Sequence, residues 1–80
     1  MTTNYYATYA IRYYEADQQT RNDAKRHWQE CHADNLRSGR EDLIIFSAKM
    51  LGSIEMAEMA LNGDASGLRQ LFECQTETIL

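Results

Sequence analysis

The chain has 80 residues, 44% of them hydrophobic and 25% charged, with a formal net charge of −4 at pH 7. A chain of this length forms one small domain, whose marginal core needs support from a disulfide, a metal ion or a second subunit. Its longest unbroken aliphatic or aromatic run, residues 43–46, is far shorter than the roughly 20 residues that span a bilayer, so we expect no membrane insertion.

The number of cysteines indicates the cellular compartment, and the charge distribution indicates the class of binding partner. Two cysteines are too few for the disulfide scaffold of a secreted protein, so we expect a reduced, cytoplasmic protein. Residues 21–40 carry five basic and three acidic side chains, whereas residues 41–80 carry seven acidic and two basic ones. A net acidic chain is repelled by phosphate, so the composition favours a protein partner over nucleic acid.

The first predicted element is a tyrosine-rich arm over residues 5–14. Its tyrosines favour a strand, and a strand needs a partner from a second copy or from another protein. A helix is the rival, because Tyr6, Ala10 and Tyr13 also fall at helical spacing and a lone strand has nothing to pair with in this chain. We favour the strand. It would place five residues on one pleat face, namely Tyr5, Ala7, Tyr9, Ile11 and Tyr13.

A helix is predicted next over residues 17–37, with Asp17 as its N-cap. A central helix follows over residues 40–62, and the two should form an antiparallel hairpin. Ser38 and Glu41 have the spacing of a capping box at the start of the central helix.

The central helix should end at Asn62 and Gly63, which tolerate the left-handed conformation that closes many helices. Asp64 would then cap a short third helix over residues 64–74. The whole chain, residues 1–80, is therefore predicted to be one small, mainly α domain.

The central helix carries two apolar seams on opposite sides. The first should close the domain's own core and consists of Leu43, Phe46, Met50, Ile54, Ala57 and Leu61. A small domain has one interior, so the second seam should face another chain. We predict a homodimer whose interface contains Ile45, Ala48, Gly52, Met56 and Met59. The alternative is that this seam contacts the target protein.

The N-terminal arm has the composition of a protein-binding surface, because tyrosine and arginine provide large contact areas at low entropic cost. A single small domain cannot bury every tyrosine of this arm. The predicted protein-binding residues are Tyr5, Tyr6, Tyr9, Arg12, Tyr13 and Tyr14.

Metal binding and thiol catalysis are weaker alternatives. His27 and Cys31 are four residues apart on a predicted helix, with His32 adjacent and Cys74 near the end of the chain. Zinc requires three or four ligands, and no paired spacing supplies them. The sequence likewise shows no oxyanion donors near Cys31. We therefore predict no metal, no cofactor, no catalytic residue and no enzymatic activity.

The sequence thus predicts a mainly helical homodimer with a strand-like arm, a helical hairpin and a short third helix. Its expected function is to bind and modulate or inhibit another protein, as small acidic proteins of phages and mobile elements do to host regulators and defence proteins. The alternative is a helical dimer that binds nucleic acid as a transcriptional regulator. That reading would use five basic residues, Arg21, Lys25, Arg26, Arg37 and Arg40.

Overall fold

The computed structural model describes residues 5–71, which contain three long or medium helices and the start of a fourth. Helix α1 is Tyr5–Glu15, helix α2 is Gln18–Ser38 and helix α3 is Glu41–Leu61. Residues 66–71 are again helical. No residue in this described range is in a strand, so the predicted mainly helical class is confirmed.

The prediction of a strand in the tyrosine-rich arm is wrong, because residues 5–14 belong to α1. Ala7, Ala10 and Tyr13 are buried, and their spacing of three residues places them on one helical face. A helix satisfies its own backbone hydrogen bonds, whereas a single strand leaves them open. The gain from burying this face outweighs the β-propensity of the tyrosines.

The ends of α2 are set by local backbone contacts. Asp17 is the predicted N-cap, and its carboxylate accepts a 2.8 Å hydrogen bond from the Thr20 amide. The pKa of Asp17 is lowered first by hydrogen bonding to the Thr20 side chain and then by this backbone hydrogen bond. Gly39 ends the helix in the left-handed region at φ 71°. The predicted capping box is wrong. Ser38 is still inside α2, where its hydroxyl donates to the Asn35 carbonyl, and Arg40 precedes α3 without a side-chain cap.

The end of α3 follows the prediction. Asn62 caps the helix, and Gly63 has φ 98°, a left-handed conformation that glycine adopts without strain. Asp64 then accepts hydrogen bonds from the amide and the hydroxyl of Ser66, which lower the pKa of its carboxyl group. These contacts precede the helical segment, which begins at residue 66 and not at residue 64. Residues 72–74 of the predicted helix lie outside the described residues.

Helix α3 is the central element and packs against both α1 and α2, which contact each other much less. The start of α1 meets the start of α3, where the rings of Tyr5 and Phe46 stack at 6.2 Å. The end of α1 contacts the end of α3, where the Tyr13 hydroxyl donates a hydrogen bond to the Glu58 carboxylate. Helix α1 therefore runs in the same direction as α3.

Polar contacts fix the turn end of the α2–α3 hairpin. Asn35 donates 3.0 Å and 3.2 Å hydrogen bonds to the Leu43 carbonyl and the Ser47 hydroxyl. His32 Nδ1 lies 2.7 Å from the same hydroxyl. Ser47 is completely buried, yet its oxygen has partners from both helices. Since a buried hydroxyl without partners would be costly, this network specifies how the hairpin closes.

The buried core lies where all the elements meet. Its central cluster consists of Ala10 and Tyr13 from α1 and Ile54 and Ala57 from α3. The small alanines let the two helix backbones approach closely. Partly buried side chains from every element surround the cluster, namely Tyr9, Ala24, Trp28, Leu51, Leu68 and Leu71.

Glu58 joins all three helices through its carboxylate. Tyr13 of α1 donates a 3.1 Å hydrogen bond to Oε2, and Lys25 of α2 lies 3.1 Å and 3.2 Å from the two carboxylate oxygens. Burial, and then the hydrogen bond and the negative charge of Glu58, raise the pKa of Tyr13 to about 12. The contact with Lys25 also shows that α2 runs antiparallel to α3, since it joins the first half of α2 to the last turns of α3.

We expect Glu58→Gln to lower the free energy of unfolding by about 1–2 kcal/mol, because the amide keeps the size of the side chain but loses the charge that both donors bind. Urea denaturation followed by circular dichroism measures the change. Glu55→Gln is the matched control, since Glu55 is an exposed glutamate on the same helix. Equal effects of the two substitutions would contradict the role assigned to Glu58.

We expect Tyr13→Phe to reduce the loss of stability at alkaline pH. Folded Tyr13 keeps its proton to a pKa of about 12, against 10.0 for the ordinary side chain. Its contribution is therefore complete below pH 10 and is lost as the pH rises toward 12. Part of the slope should remain, because burial also raises the pKa of Tyr9. Urea denaturation over an alkaline pH series measures this dependence, with Tyr14→Phe, at an exposed tyrosine, as the control. The expectation is contradicted if both variants lose unfolding free energy with pH as steeply as the wild type does.

Candidate protein-binding surfaces

A row of exposed and half-exposed side chains follows one face of α1. Tyr5, Thr8, Tyr9 and Arg12 have the i, i+3, i+4, i+7 spacing of a helical stripe, and together they line a shallow concavity. We call this set the α1 strip. The Tyr5 side chain is 55% exposed, although its ring also stacks on Phe46. The α1 strip therefore presents an exposed tyrosine ring whose conformation is restricted by this stacking.

An aromatic cluster beneath the α1 strip holds it in place. The Phe46 ring of α3 lies 6.3 Å from the Tyr6 ring and 5.6 Å from the Trp28 ring. Trp28 also meets Tyr9 edge-on and donates a 3.0 Å hydrogen bond to its hydroxyl. Edge-to-face pairs of this kind are favourable, and they connect α1, α2 and α3 at the end of the bundle remote from Glu58.

The α1 strip continues into a groove where α1 ends and α2 begins. Tyr9 and Arg12 line both concavities, so the two surfaces are continuous. The groove has a volume of about 120 Å³. We call it the α1–α2 groove, and its walls are Tyr9, Arg12, Tyr13, Ala16, Thr20, Arg21 and Ala24.

Of the six predicted protein-binding residues, two contact the interior of the domain, one is shared between interior and surface, and three lie at the surface. Tyr13 is buried and bonded to Glu58, and Tyr6 is half-buried with the Lys49 ammonium 5.6 Å from its ring centre. Tyr9 is half-buried and serves both the aromatic cluster and the surface. The residues that remain clearly at the surface are Tyr5, Arg12 and Tyr14.

The second apolar seam of α3 lies away from α1 and α2, and we call it the far face of α3. Ile45 is 49% exposed and Ala48 is also exposed. A methyl group on Gly52 would meet no atom within 4 Å, so the surface over this residue is open. The N-terminal half of the far face is thus uncovered within the described chain.

The C-terminal half of the far face is partly covered by the chain itself. Gly67 of the final helical segment is buried, and a methyl group added there would lie 2.2 Å from the Met56 Sδ atom. A larger residue at this position would therefore require the flexible end of the Met56 side chain to move. Met56 and Met59 are half-buried, so the predicted interface residues differ in how much surface they offer to another chain.

The histidine and cysteine residues do not converge on one point. Cys31 Sγ lies 3.6 Å from His27 Nε2, but His32 points to Ser47 instead. Within residues 5–71 no three histidine, cysteine, aspartate or glutamate side chains could hold one metal ion. Cys74 lies outside the described residues. The His27 ring packs edge-on against Trp28, and neither His27 nor Cys31 lines the grooves described above.

Sequence reasoning missed the residues that arrange these surfaces. Glu58 joins the helices, Ser47 closes the hairpin, and Thr20 lies in the α2 wall of the groove. Arg21, which the sequence offered only as a candidate for nucleic-acid binding, lies in the same wall. The partners of Glu58 are 45 and 33 residues away, so no local pattern marks this contact. The one available signal was Ser47, a small polar residue within the apolar run of α3 that begins at Leu43.

No helix in residues 5–71 combines the length and apolarity needed to cross a membrane. Comparisons with protein-family models, with curated proteins and with solved structures find no match to this chain.

Proposed function

We propose that this protein is a non-enzymatic modulator that binds another protein through the α1 strip and changes that protein's activity. The observation that carries the proposal is the exposure of Tyr5 and Arg12 on one face of a helix whose opposite face is buried. Tyrosine and arginine dominate the energetics of many protein interfaces. The aromatic cluster restricts the tyrosines before binding, which lowers the entropic cost of association.

The distribution of positive charge favours a protein partner over nucleic acid. Three of the five basic residues that a nucleic-acid site would use already have partners in the fold. Lys25 contacts Glu58, Arg37 contacts Asp34, and Arg21 donates to the Ala16 carbonyl. The net charge of −4 also opposes the approach of the chain to a phosphate backbone.

The proposed partner is a regulator or defence protein of a host cell, and the chain is an inhibitor of the kind carried by phages and mobile elements. The support is the combination of small size, net acidic charge and an aromatic contact surface. Inhibition by steric cover requires no chemistry from the inhibitor. A helical domain with one exposed aromatic strip is sufficient for that role.

We expect Tyr5→Ala to weaken binding of the partner by about tenfold or more, because truncation removes an exposed aromatic anchor. Capture from a lysate of the source cells on the immobilised protein, followed by titration of the recovered partner, measures the loss. Leu36→Ala is the matched control, since Leu36 is also 55% exposed but lies on α2. The partner's own activity is assayed with each variant.

The proposed function fails if the wild-type protein captures no partner or leaves the partner's activity unchanged. The assignment of the binding surface to the α1 strip fails if Tyr5→Ala and Leu36→Ala bind the partner equally well. In that case the contact would lie elsewhere on the domain.

We also propose that two copies associate through the far face of α3. The exposed Ile45 and the open surface over Gly52 support this arrangement, because small residues let two helices approach closely. Within residues 5–71 the half of this face around Ile45 and Gly52 is uncovered, and a second chain accommodates such apolar surface better than water does. Dimerisation would leave the α1 strip accessible, since that strip lies on a different helix.

We expect Gly52→Leu to weaken the dimer, whereas Gly52→Ala should stabilise the monomer by about 0.5–1 kcal/mol through helix propensity. Both expectations follow from the open space over Gly52. Light scattering after size exclusion measures the association. The wild type should exceed the chain mass of 9.3 kDa and approach twice that value as concentration rises. A mass that stays at 9.3 kDa at every concentration would contradict the dimer.

A further inference from the structure

The α1–α2 groove has the size of a single side chain. Its volume of about 120 Å³ is below the roughly 300–1,000 Å³ of sites that enclose a small-molecule ligand. The link between α1 and α2 is short, so Ala16 closes one end of the groove while Tyr9 and Ala24 provide apolar walls. Such a groove fits one protruding residue of a larger partner.

Two arginines, Arg12 and Arg21, line this groove, and they differ in whether a carboxylate compensates their charge. Among residues 5–71 no aspartate or glutamate lines the groove itself. Arg21 is held by the Ala16 carbonyl and by Gln18, and the Coulombic effect of its charge reaches the Tyr13 side chain. Arg12 has no ion pair with any residue in the range 5–71.

The nearest acidic residues in sequence do not pair with Arg12. Asp17 is the N-cap of α2, where it accepts a hydrogen bond from Thr20, and its carboxylate interacts electrostatically with Arg21. Glu15 is exposed and lies beyond ion-pair distance of Arg12. With respect to residues 5–71, the Arg12 guanidinium therefore keeps its donors for an external acceptor.

We propose that the α1–α2 groove receives an aspartate or glutamate side chain of the partner protein. The carboxylate binds Arg12, and the apolar part of the same segment packs on Tyr9 and Ala16. This inference rests on the proposed function and states the chemistry of the partner's contact. A single acidic side chain suits the groove better than a phosphate backbone, because within residues 5–71 the groove offers one arginine without an ion pair, Arg12, and not a row of cations.

The broader groove between α2 and α3 has no comparable arginine without an ion pair in its lining. Its volume is about 400 Å³, and its lining includes both Lys25 and Glu58, which already neutralise each other. The α1–α2 groove is thus distinguished by charge as well as by size.

Panning a random peptide library on the full-length protein tests the proposal with defined probes. We expect wild-type protein to enrich peptides that carry an aspartate or glutamate next to an apolar residue. The affinity of an enriched peptide should fall by about tenfold or more with Arg12→Ala. Arg12→Lys should recover part of it, because the charge remains but the bidentate fork is lost. Arg40→Ala is the control, an exposed arginine outside the groove.

Two results would overturn the proposal. One is the absence of acidic peptides among those that the wild type enriches. The other is an acidic peptide that binds Arg12→Ala and Arg40→Ala equally well. Because Arg12 is exposed and outside the core, circular dichroism should show the same fold for all three variants. If the lysate partner is captured while the groove ignores acidic peptides, the inference fails and the proposed function remains.

Discussion

The Glu58 carboxylate determines how the three long helices sit against one another. It accepts hydrogen bonds from Tyr13 of α1 and from Lys25 of α2 at distances near 3.1 Å. A half-exposed ion pair alone contributes little to stability. The addition of a buried tyrosine hydroxyl makes the contact specific, since rotation of either helix would separate donor and acceptor. The position of α1, and with it the orientation of every surface on α1, depends on this carboxylate.

The aromatic cluster repeats this role at the opposite end of the bundle. Phe46 of α3 meets Trp28 of α2 and the first tyrosines of α1, so a second three-helix contact lies far from Glu58. With both ends held, α1 has one buried and one exposed face. Tyr5 consequently stays at the surface while its ring is supported from beneath. A surface built in this way loses little conformational freedom on binding.

Helix α3 explains why one small domain has several surfaces to offer. One side of α3 contacts α1 and α2. The C-terminal part of its far face contacts Gly67, which packs against Met56, while no other part of residues 5–71 covers the surface around Ile45 and Gly52. The proposed self-association and the proposed binding of a partner therefore use different helices. They need not compete, and a dimer would display two copies of the α1 strip and two α1–α2 grooves.

Only part of this arrangement could be predicted from local patterns. The N-cap at Asp17 and the end of α3 at Asn62 and Gly63 were predictable, because capping uses groups within a few residues of each other. The two-seamed pattern of α3 was readable because helical periodicity is also local. The mainly helical class followed from these features and from the absence of proline.

The tertiary structure decided what depends on residues far apart in the chain. Residues 5–14 form a helix because a buried face became available against α3, which overrode the preference of tyrosine for strands. Tyr13 became internal because Glu58, 45 positions away, accepts its hydrogen bond, whereas Tyr5 stayed outside. Arg12 and Arg21 line one groove only because a short link folds α2 back along α1. The sequence by itself determined where helices can start and stop, and packing determined which of their side chains face a partner.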